Sequence, residues 1–271
     1  MLNRDAGWSL LAVCRTGTQA GLLRRSSKIT RIMKKTLFIL SLASLLTIAG
    51  CGSSNNPLHV MVVAGGHAFD TVEFVDMFRG IPGITFDTVM QPRANRLIAE
   101  GRVDGYDVIV FYDMWNEADE QVRRGYHTLP VEGTGLVFLH HSLAGYPGWE
   151  GFSSIIGGRY ITPGSRADTL LHSTYKHDLQ LEIGVIDPDH PVTRSIPEFS
   201  ILDEGYGNIM INPDVTLLLK TDHPDCAKYV GWTHTIEKSR IVYLMSGHDR
   251  HAYGNENFQK LLSNAMMYVS Q

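Results

Sequence analysis

Short apolar segments that alternate with amphipathic or polar segments constrain the fold of this chain more than any other feature. The first half contains four of them, HVMVVAG (59–65), ITFDTVM (84–90), YDVIVFYD (106–113) and GLVFLH (135–140). Apolar strands separated by helices are typical of a parallel sheet that is covered on both faces. We therefore predict an α/β fold with a doubly wound, mostly parallel sheet flanked by helices.

The second half is less regular. Four further segments read as strands, some of them antiparallel additions: LQLEIGV, VTLLLKT, KYVGWTH and RIVYLMSG. An amphipathic helix, NENFQKLLSNAMMYV (255–269), closes the chain. In open α/β sheets, ligands bind beyond the carboxyl ends of the strands, so we expect the functional residues there.

The amino-terminal region has the pattern of an export signal. Residues 33–51 begin with Lys34 and Lys35, continue as a short apolar run and end in IAGC, which resembles the lipobox of bacterial lipoproteins. We predict that 1–32 lie upstream of the true start, that 33–50 are a signal peptide and that 51–57 are a tether carrying a lipid on Cys51. Residues 58–271 would form one domain, exported and anchored to a membrane facing the periplasm. The alternative, a retained membrane anchor, requires a longer apolar run.

Removal of this segment makes the chain acidic. Residues 1–50 hold eight of the 24 Lys/Arg and one of the 28 Asp/Glu, which leaves 16 basic and 27 acidic residues and a net charge of −11. Because nucleic acids bind proteins by releasing counterions to cationic side chains, a nucleic-acid partner is not expected. Cys226 is the remaining thiol after Cys51, so neither an intrachain disulfide nor a cysteine zinc site is expected.

Three predicted strands run into histidine. His67 follows the first, His140 and His141 end the fourth, and His248 follows the last. Neutral imidazoles with an open position can bind a divalent metal such as zinc, which activates water or polarises a carbonyl. We predict a metal site of His67, His141 and His248, although each histidine alone could be a hydrogen-bonded structural residue.

Other polar and aromatic residues are candidates for the same site. The segment ILDEGYGN offers Glu204 as a general base or ligand and Tyr206 as a hydrogen-bond donor, unless it is an exposed loop. Trp149 and Trp232 could present flat surfaces to a sugar ring, although core packing is the usual role of tryptophan. The remaining expectations concern carboxylates that orient the histidines (Asp70, Asp113, Asp249), a cation near the cavity mouth (Arg159) and ordinary surface histidines (His172, His177, His190, His223).

Two familiar chemistries are not indicated. The segment AGGHAFD lacks the third glycine and the downstream acid of a dinucleotide fingerprint, so no nucleotide cofactor is expected. Ser142 lacks the glycines of a G-x-S-x-G elbow, so acyl-enzyme chemistry is not expected either.

Several segments together resemble the ThuA-like (trehalose utilisation) family. They are VVAGGHAFD, GLVFLHHSLAGYPGWEGFSSIIGGRY, DPDHPVTRSIPEFSILDEGY, VGWTH and RIVYLMSGHDRHAYGNENFQKLLSNAMMYV. The resemblance implies a flavodoxin-like fold of the class I glutamine-amidotransferase type, without the catalytic cysteine, and a role with trehalose or related disaccharides. By this resemblance, the characteristic positions of the family correspond to His67, His141, Trp149, Glu204, Tyr206, Trp232 and His248. The family often has a further histidine after its Gly-Gly-aromatic segment, where this chain reads GGRYITPGSR.

Two functions follow as hypotheses. In the first, the protein is an exported enzyme that hydrolyses or isomerises a small-molecule sugar, a glycoside or keto-sugar, with His141, Glu204 and His248 as catalytic residues. His140, Trp149, Tyr206 and Trp232 would bind the substrate. In the second, it is a non-catalytic sugar-binding or scaffold lipoprotein. The sequence leaves the oligomeric state open.

Overall fold

The structure, a computed structural model, describes residues 56–163 and 172–271. The first half of the described chain contains the following elements: β1 (Leu58–Ala64), α1 (Thr71–Gly80), β2 (Ile84–Met90), α2 (Arg93–Ala99), β3 (Val108–Phe111), α3 (Glu120–Glu132), β4 (Gly135–Leu139), a 3-10 helix (His140–Ala144), α4 (Glu150–Ile156) and β5 (Gly158–Arg159). The second half contains β6 (Thr174–Val185), β7 (Phe199–Gly207), β8 (Met210–Ile211), β9 (Thr216–Lys220), β10 (Tyr229–Ile236), β11 (Ser239–Leu244), α5 (Arg250–Tyr253) and α6 (Glu256–Val269).

A nine-stranded sheet organises the described residues, in the order β2-β1-β3-β4-β11-β10-β9-β6-β7. The first five strands of this order pair in parallel, and the remaining pairs are antiparallel. Parallel strands β1, β3, β4 and β11 are almost wholly buried because helices cover both faces. The predicted fold class is confirmed, and the carboxyl ends of these strands lie at one edge of the sheet.

Strand β7 is not among the strands that the sequence predicts. Its residues, FSILDEGYG, pair with β6 to form a hairpin at the end of the sheet, so ILDEGYGN is not an exposed loop. Both faces of β7 are largely buried, which hides the alternation of apolar and polar residues that identifies most antiparallel strands.

The β6–β7 hairpin contains an irregularity in its strand pairing, opposite Glu204. Lys176 pairs with Gly205 and Leu179 with Asp203, so β6 places one more residue than β7 between these two pairs. The backbone of Asp178 has a φ of 56°, in the left-handed region. Such bulges re-aim side chains and often lie beside functional sites.

A polar network is buried beside the carboxyl end of β3. Gln91 Nε2 donates to Asp113 Oδ2 at 2.7 Å and to Asn95 Oδ1 at 3.0 Å, and the hydroxyls of Tyr126 and Tyr146 also donate to Asn95 Oδ1. Asp113 Oδ1 has no hydrogen-bond partner. Burial raises the pKa of the Asp113 carboxyl to about 6, although the hydrogen bond from Gln91 opposes the shift.

Segment 33–51 and the proposed lipid site lie outside the described residues. Within the described ranges, no helix is both long and apolar enough to cross a membrane.

The substitution Asp113→Asn tests the cost of this buried carboxylate. A carboxyl whose pKa is about 6 in the folded state, against 3.8 ordinarily, binds more protons when folded, so stability is lost as the pH rises from 4 to above 6. We expect Asp113→Asn to remove this pH-dependent loss of stability, which is worth up to about 3 kcal/mol at pH 8. The measurement is the free energy of unfolding by urea at pH 5 and pH 8, and a variant-to-wild-type difference independent of pH would contradict the assignment.

Candidate metal centre

The turn after β4 positions two histidines at the strand-end edge. Leu139 ends the strand in an extended conformation, and His140 adopts a φ of 38°, which is rare for a residue with a side chain. The chain then enters the 3-10 helix. Ser142 Oγ donates to the Leu139 carbonyl at 2.8 Å and Tyr243 OH to the His140 carbonyl at 3.3 Å, which stabilises this tight turn.

Four side chains meet beyond the strand ends. One potential ligand atom each from His140, His141, Glu204 and His248 lies within 4.8 Å of the other three. In a tetrahedral zinc site, where Zn–N bonds are about 2.1 Å long, neighbouring ligand atoms are about 3.4 Å apart. The most widely separated atoms of the group would therefore have to approach by about 1.4 Å to hold such an ion.

The pair of His140 and Glu204 is placed so that it could share a cation. His140 Nδ1 faces the carbonyl of Met245, which can only accept, so this nitrogen carries a hydrogen. His140 Nε2 lies 3.3 Å from Glu204 Oε1, and His140 is fully buried. A nitrogen lone pair that faces a carboxylate away from water is unfavourable unless a proton or a metal ion lies between them.

The other two imidazoles have free nitrogen atoms. His141 Nδ1 and His248 Nδ1 are buried and without hydrogen-bond partners. Burial lowers the pKa of His141 and that of His248. Both rings are therefore neutral at pH 7, the form that binds metals.

Glu204 has the electrostatics of a ligand. Burial alone would raise the pKa of its carboxyl, but the close contact with His140 outweighs burial and lowers it. A carboxylate that faces several imidazoles can bind a metal ion together with them, and the role of Glu204 as a general base stays a prediction.

His177 is exposed, as predicted for a surface residue, but it also contacts this cluster and lines the cavity described below. Its Nδ1 lies 2.8 Å from Glu204 Oε2, and its ring centroid lies 4.7 Å from that of His248. The irregularity in the β6–β7 hairpin places it opposite Glu204. The sequence contained no signal for this, because the position of a bulge is not visible in hydrophobic periodicity.

His67 lies beside the cluster without joining the ligand group. Its ring stacks on that of His141, with centroids 3.7 Å apart. Its Nε2 is 2.8 Å from the Tyr112 carbonyl oxygen and its Nδ1 is 3.1 Å from that of Ala68. His67 packs against a candidate ligand, and the group that could hold an ion consists of His140, His141, Glu204 and His248.

The two tryptophans lie in the core. Trp232 is fully buried and its indole N–H donates to the Ile156 carbonyl at 2.9 Å, while Trp149 packs against Tyr126 and Phe152. Neither lines the cavity described below, and the structure gives them packing positions instead of the predicted sugar platforms.

The carboxylates predicted to orient the histidines have other partners. Asp70 pairs with Arg250, Asp113 belongs to the buried network of Gln91, and Asp249 caps α5 through the His251 N–H. Arg159 lies in β5 and does not line the cavity.

A cavity of about 580 Å³ opens over the cluster, within the usual size range of small-molecule sites. Histidine, glutamate and aromatic side chains form much of its wall, and its described lining residues include no lysine or arginine. They are Met114, Asn116, His141, Ala144, Pro147, Tyr160, Thr162, Pro163, Tyr175, His177, Glu204, Tyr206 and His248. Tyr206 stacks on His140, and Tyr175 is 62% exposed at the mouth, so it can contact a ligand.

Comparisons with known proteins agree with this fold. The profile of the family described as ThuA, trehalose utilisation, matches residues 60–269. A putative ThuA-like protein from Parabacteroides merdae is 16% identical, with a TM-score of 0.64 over 80% of this chain and 91% of its own. A second, from Bacteroides uniformis, is 19% identical, with a TM-score of 0.59 over 79% and 92%. A cytoplasmic protein from Salmonella typhimurium is 11% identical, with a TM-score of 0.56 over 78% and 98%. No curated protein matches the sequence significantly.

Metal titration tests the ligand group. We expect chelator-treated protein to bind one equivalent of Zn²⁺ or Co²⁺, and His141→Ala and Glu204→Gln to weaken the affinity by more than the about 10- to 100-fold typical of residues that only orient ligands. His127→Gln is the matched control, because His127 is an exposed histidine against Trp149 and away from the cavity. Calorimetry on folded variants measures the change, and equal affinities in all proteins would exclude the site.

Proposed function

The chain belongs to the ThuA (trehalose utilisation) family, which supports a role in carbohydrate metabolism, and we propose that it is a metal-assisted hydrolase or isomerase of an uncharged sugar. The observation that carries the proposal is the group of three imidazoles and one carboxylate at the base of the cavity. Fold alone would not suffice, because one fold supports many reactions.

The donor set indicates the class of ion. Three imidazole nitrogens and one carboxylate oxygen suit zinc and neighbouring transition metals better than magnesium or calcium, which prefer oxygen ligands. A divalent ion held there would polarise a sugar carbonyl or lower the pKa of a water molecule. His140, His141, Glu204 and His248 would hold it, and His177 would lie next to Glu204 at the mouth.

The cavity wall indicates the class of substrate. Its described residues offer no cationic side chain to a phosphate or carboxylate, while Tyr160, Tyr175 and Tyr206 offer aromatic rings and hydroxyls. Aromatic rings pack against the apolar face of a sugar, and hydroxyl groups bind its polar edge. These features favour a neutral glycoside or keto-sugar over a sugar phosphate.

Export and lipid anchoring are part of the same proposal. The support is the segment ending in IAGC, whose last residue is Cys51, and the acidic chain that follows it. The enzyme would then meet its sugar in the periplasm, tethered to a membrane by the lipid on Cys51.

Turnover of trehalose and 3-keto-disaccharides by metal-loaded protein tests the enzymatic function. We expect His141→Ala and His248→Ala to lose at least about 100-fold in kcat/KM, a typical range for groups that act directly in catalysis. His127→Gln should keep the wild-type rate. Calorimetric binding of an intact disaccharide without any product would instead support a non-catalytic sugar-binding lipoprotein.

Tyr175 provides a test of the substrate class. Because the ring is exposed at the mouth, Tyr175→Ala should raise KM for the sugar about 5- to 10-fold, the loss of about 1 kcal/mol of ring packing. Tyr175→Phe should stay within about twofold of wild type, since it keeps the ring. Equal KM values for the wild type and Tyr175→Ala would exclude an aromatic sugar contact there.

Expression of the full chain with Cys51→Ala tests the anchor. We expect wild-type protein in the membrane fraction, with the mass of a lipid on an amino-terminal Cys51, and the variant without this mass and released from the membrane. Recovery of unmodified wild-type protein in the cytoplasm would contradict the proposed export.

A further inference from the structure

His248 lies on a turn and is itself part of neither a strand nor a helix. The turn connects β11 to α5, and Gly247 has a φ of 117°. A ligand on such a segment binds an ion well only if its backbone is fixed, because a loose ligand loses conformational entropy when the ion binds.

Buried side chains fix both sides of the His248 backbone. Its N–H donates to Asp203 Oδ1 at 3.0 Å. Its carbonyl accepts from the hydroxyl pair of Tyr112 and Tyr253, whose oxygens lie 3.0 Å from the carbonyl oxygen and 2.7 Å from each other. Neither tyrosine belongs to the candidate ligand group.

Asp203 connects this turn to the strand that carries Glu204. Its Oδ1 also accepts from the Glu204 N–H at 2.9 Å, and its Oδ2 accepts from the Gly247 N–H at 2.8 Å. The side chain is 3% exposed and does not line the cavity. One buried carboxylate therefore holds the backbones of two candidate ligands from distant parts of the sequence.

We propose that Asp203 is a positioning residue that holds Glu204 and His248 at the separation required for ion binding. This inference rests on the proposed metal centre. The N–H groups of Glu204, Gly247 and His248 all donate to this carboxyl, and its removal leaves three N–H groups in this buried region without their acceptor. The turn and the hairpin would then adopt several relative positions.

Cobalt titration tests the inference, with Asp113 as the matched control. We expect Asp203→Asn, which keeps one acceptor oxygen, to weaken Co²⁺ binding about 10-fold and Asp203→Ala about 100-fold, the range seen for residues that orient ligands. The absorption bands of the bound Co²⁺ should shift in both variants. Asp113→Ala also removes a buried strand-end carboxylate, but should lower only the thermal stability.

The folded state of each variant is checked by circular dichroism at the titration temperature. If Asp203→Ala does not fold, Asp203→Asn decides the question. Wild-type affinity and an unchanged cobalt spectrum in a folded Asp203 variant would overturn the inference, as would an equal loss of affinity in Asp113→Ala.

A second measurement separates this inference from the metal proposal. In chelator-treated protein, the imidazole signals of His248 in an NMR spectrum should form one set in the wild type and several sets in Asp203→Ala. If wild-type protein bound no metal, the metal centre would be excluded, and the NMR comparison alone would decide whether Asp203 positions His248. A single, unchanged set of signals in the variant would then overturn the inference.

Discussion

The carboxylate of Glu204, buried among imidazoles, is the interaction on which the rest of the site depends. Its oxygens lie 3.3 Å from His140 Nε2, 2.8 Å from His177 Nδ1 and 3.7 Å from His248 Nδ1. A carboxylate away from water is costly unless positive charge lies beside it. That positive charge can come either from protonated imidazoles or from a metal ion that the imidazoles bind. The end of β4, the β6–β7 hairpin and the turn that carries His248 together place imidazoles around the Glu204 carboxylate.

Backbone strain at His140 is the local cost of this arrangement. A φ of 38° in a residue with a side chain is unfavourable by about 1–3 kcal/mol, and it persists because the surrounding contacts determine it. In hydrolases with a nucleophile elbow, a strained turn after a strand presents serine or cysteine. Here a comparable turn presents two imidazoles. A similar backbone conformation thus presents possible metal ligands instead of a nucleophile.

Part of this site could be predicted from the sequence and part could not. The parallel strands were recognisable because they are apolar along their length, and this placed His140, His141 and His248 at one edge. The roles of His177 and Asp203 depend on a bulge and on hydrogen bonds to backbone groups far away in sequence, which leave no periodic signal. Tryptophans serve cores and binding sites equally well, so only the structure could assign Trp232 to the core.

The β6–β7 hairpin adjoins the sheet through a short contact, in which Gly184 and Val185 pair with Lys220 and Leu219 of β9. The three histidines of the candidate metal centre thus follow strands in the parallel part of the sheet, whereas Glu204 lies in the β6–β7 hairpin. Such a division makes this group of side chains tunable during evolution, since insertion or loss of one residue in the hairpin would exchange which side chains face the candidate metal centre. Proteins that share this sheet could in this way diverge in metal preference and reaction while their hydrophobic interior stayed the same.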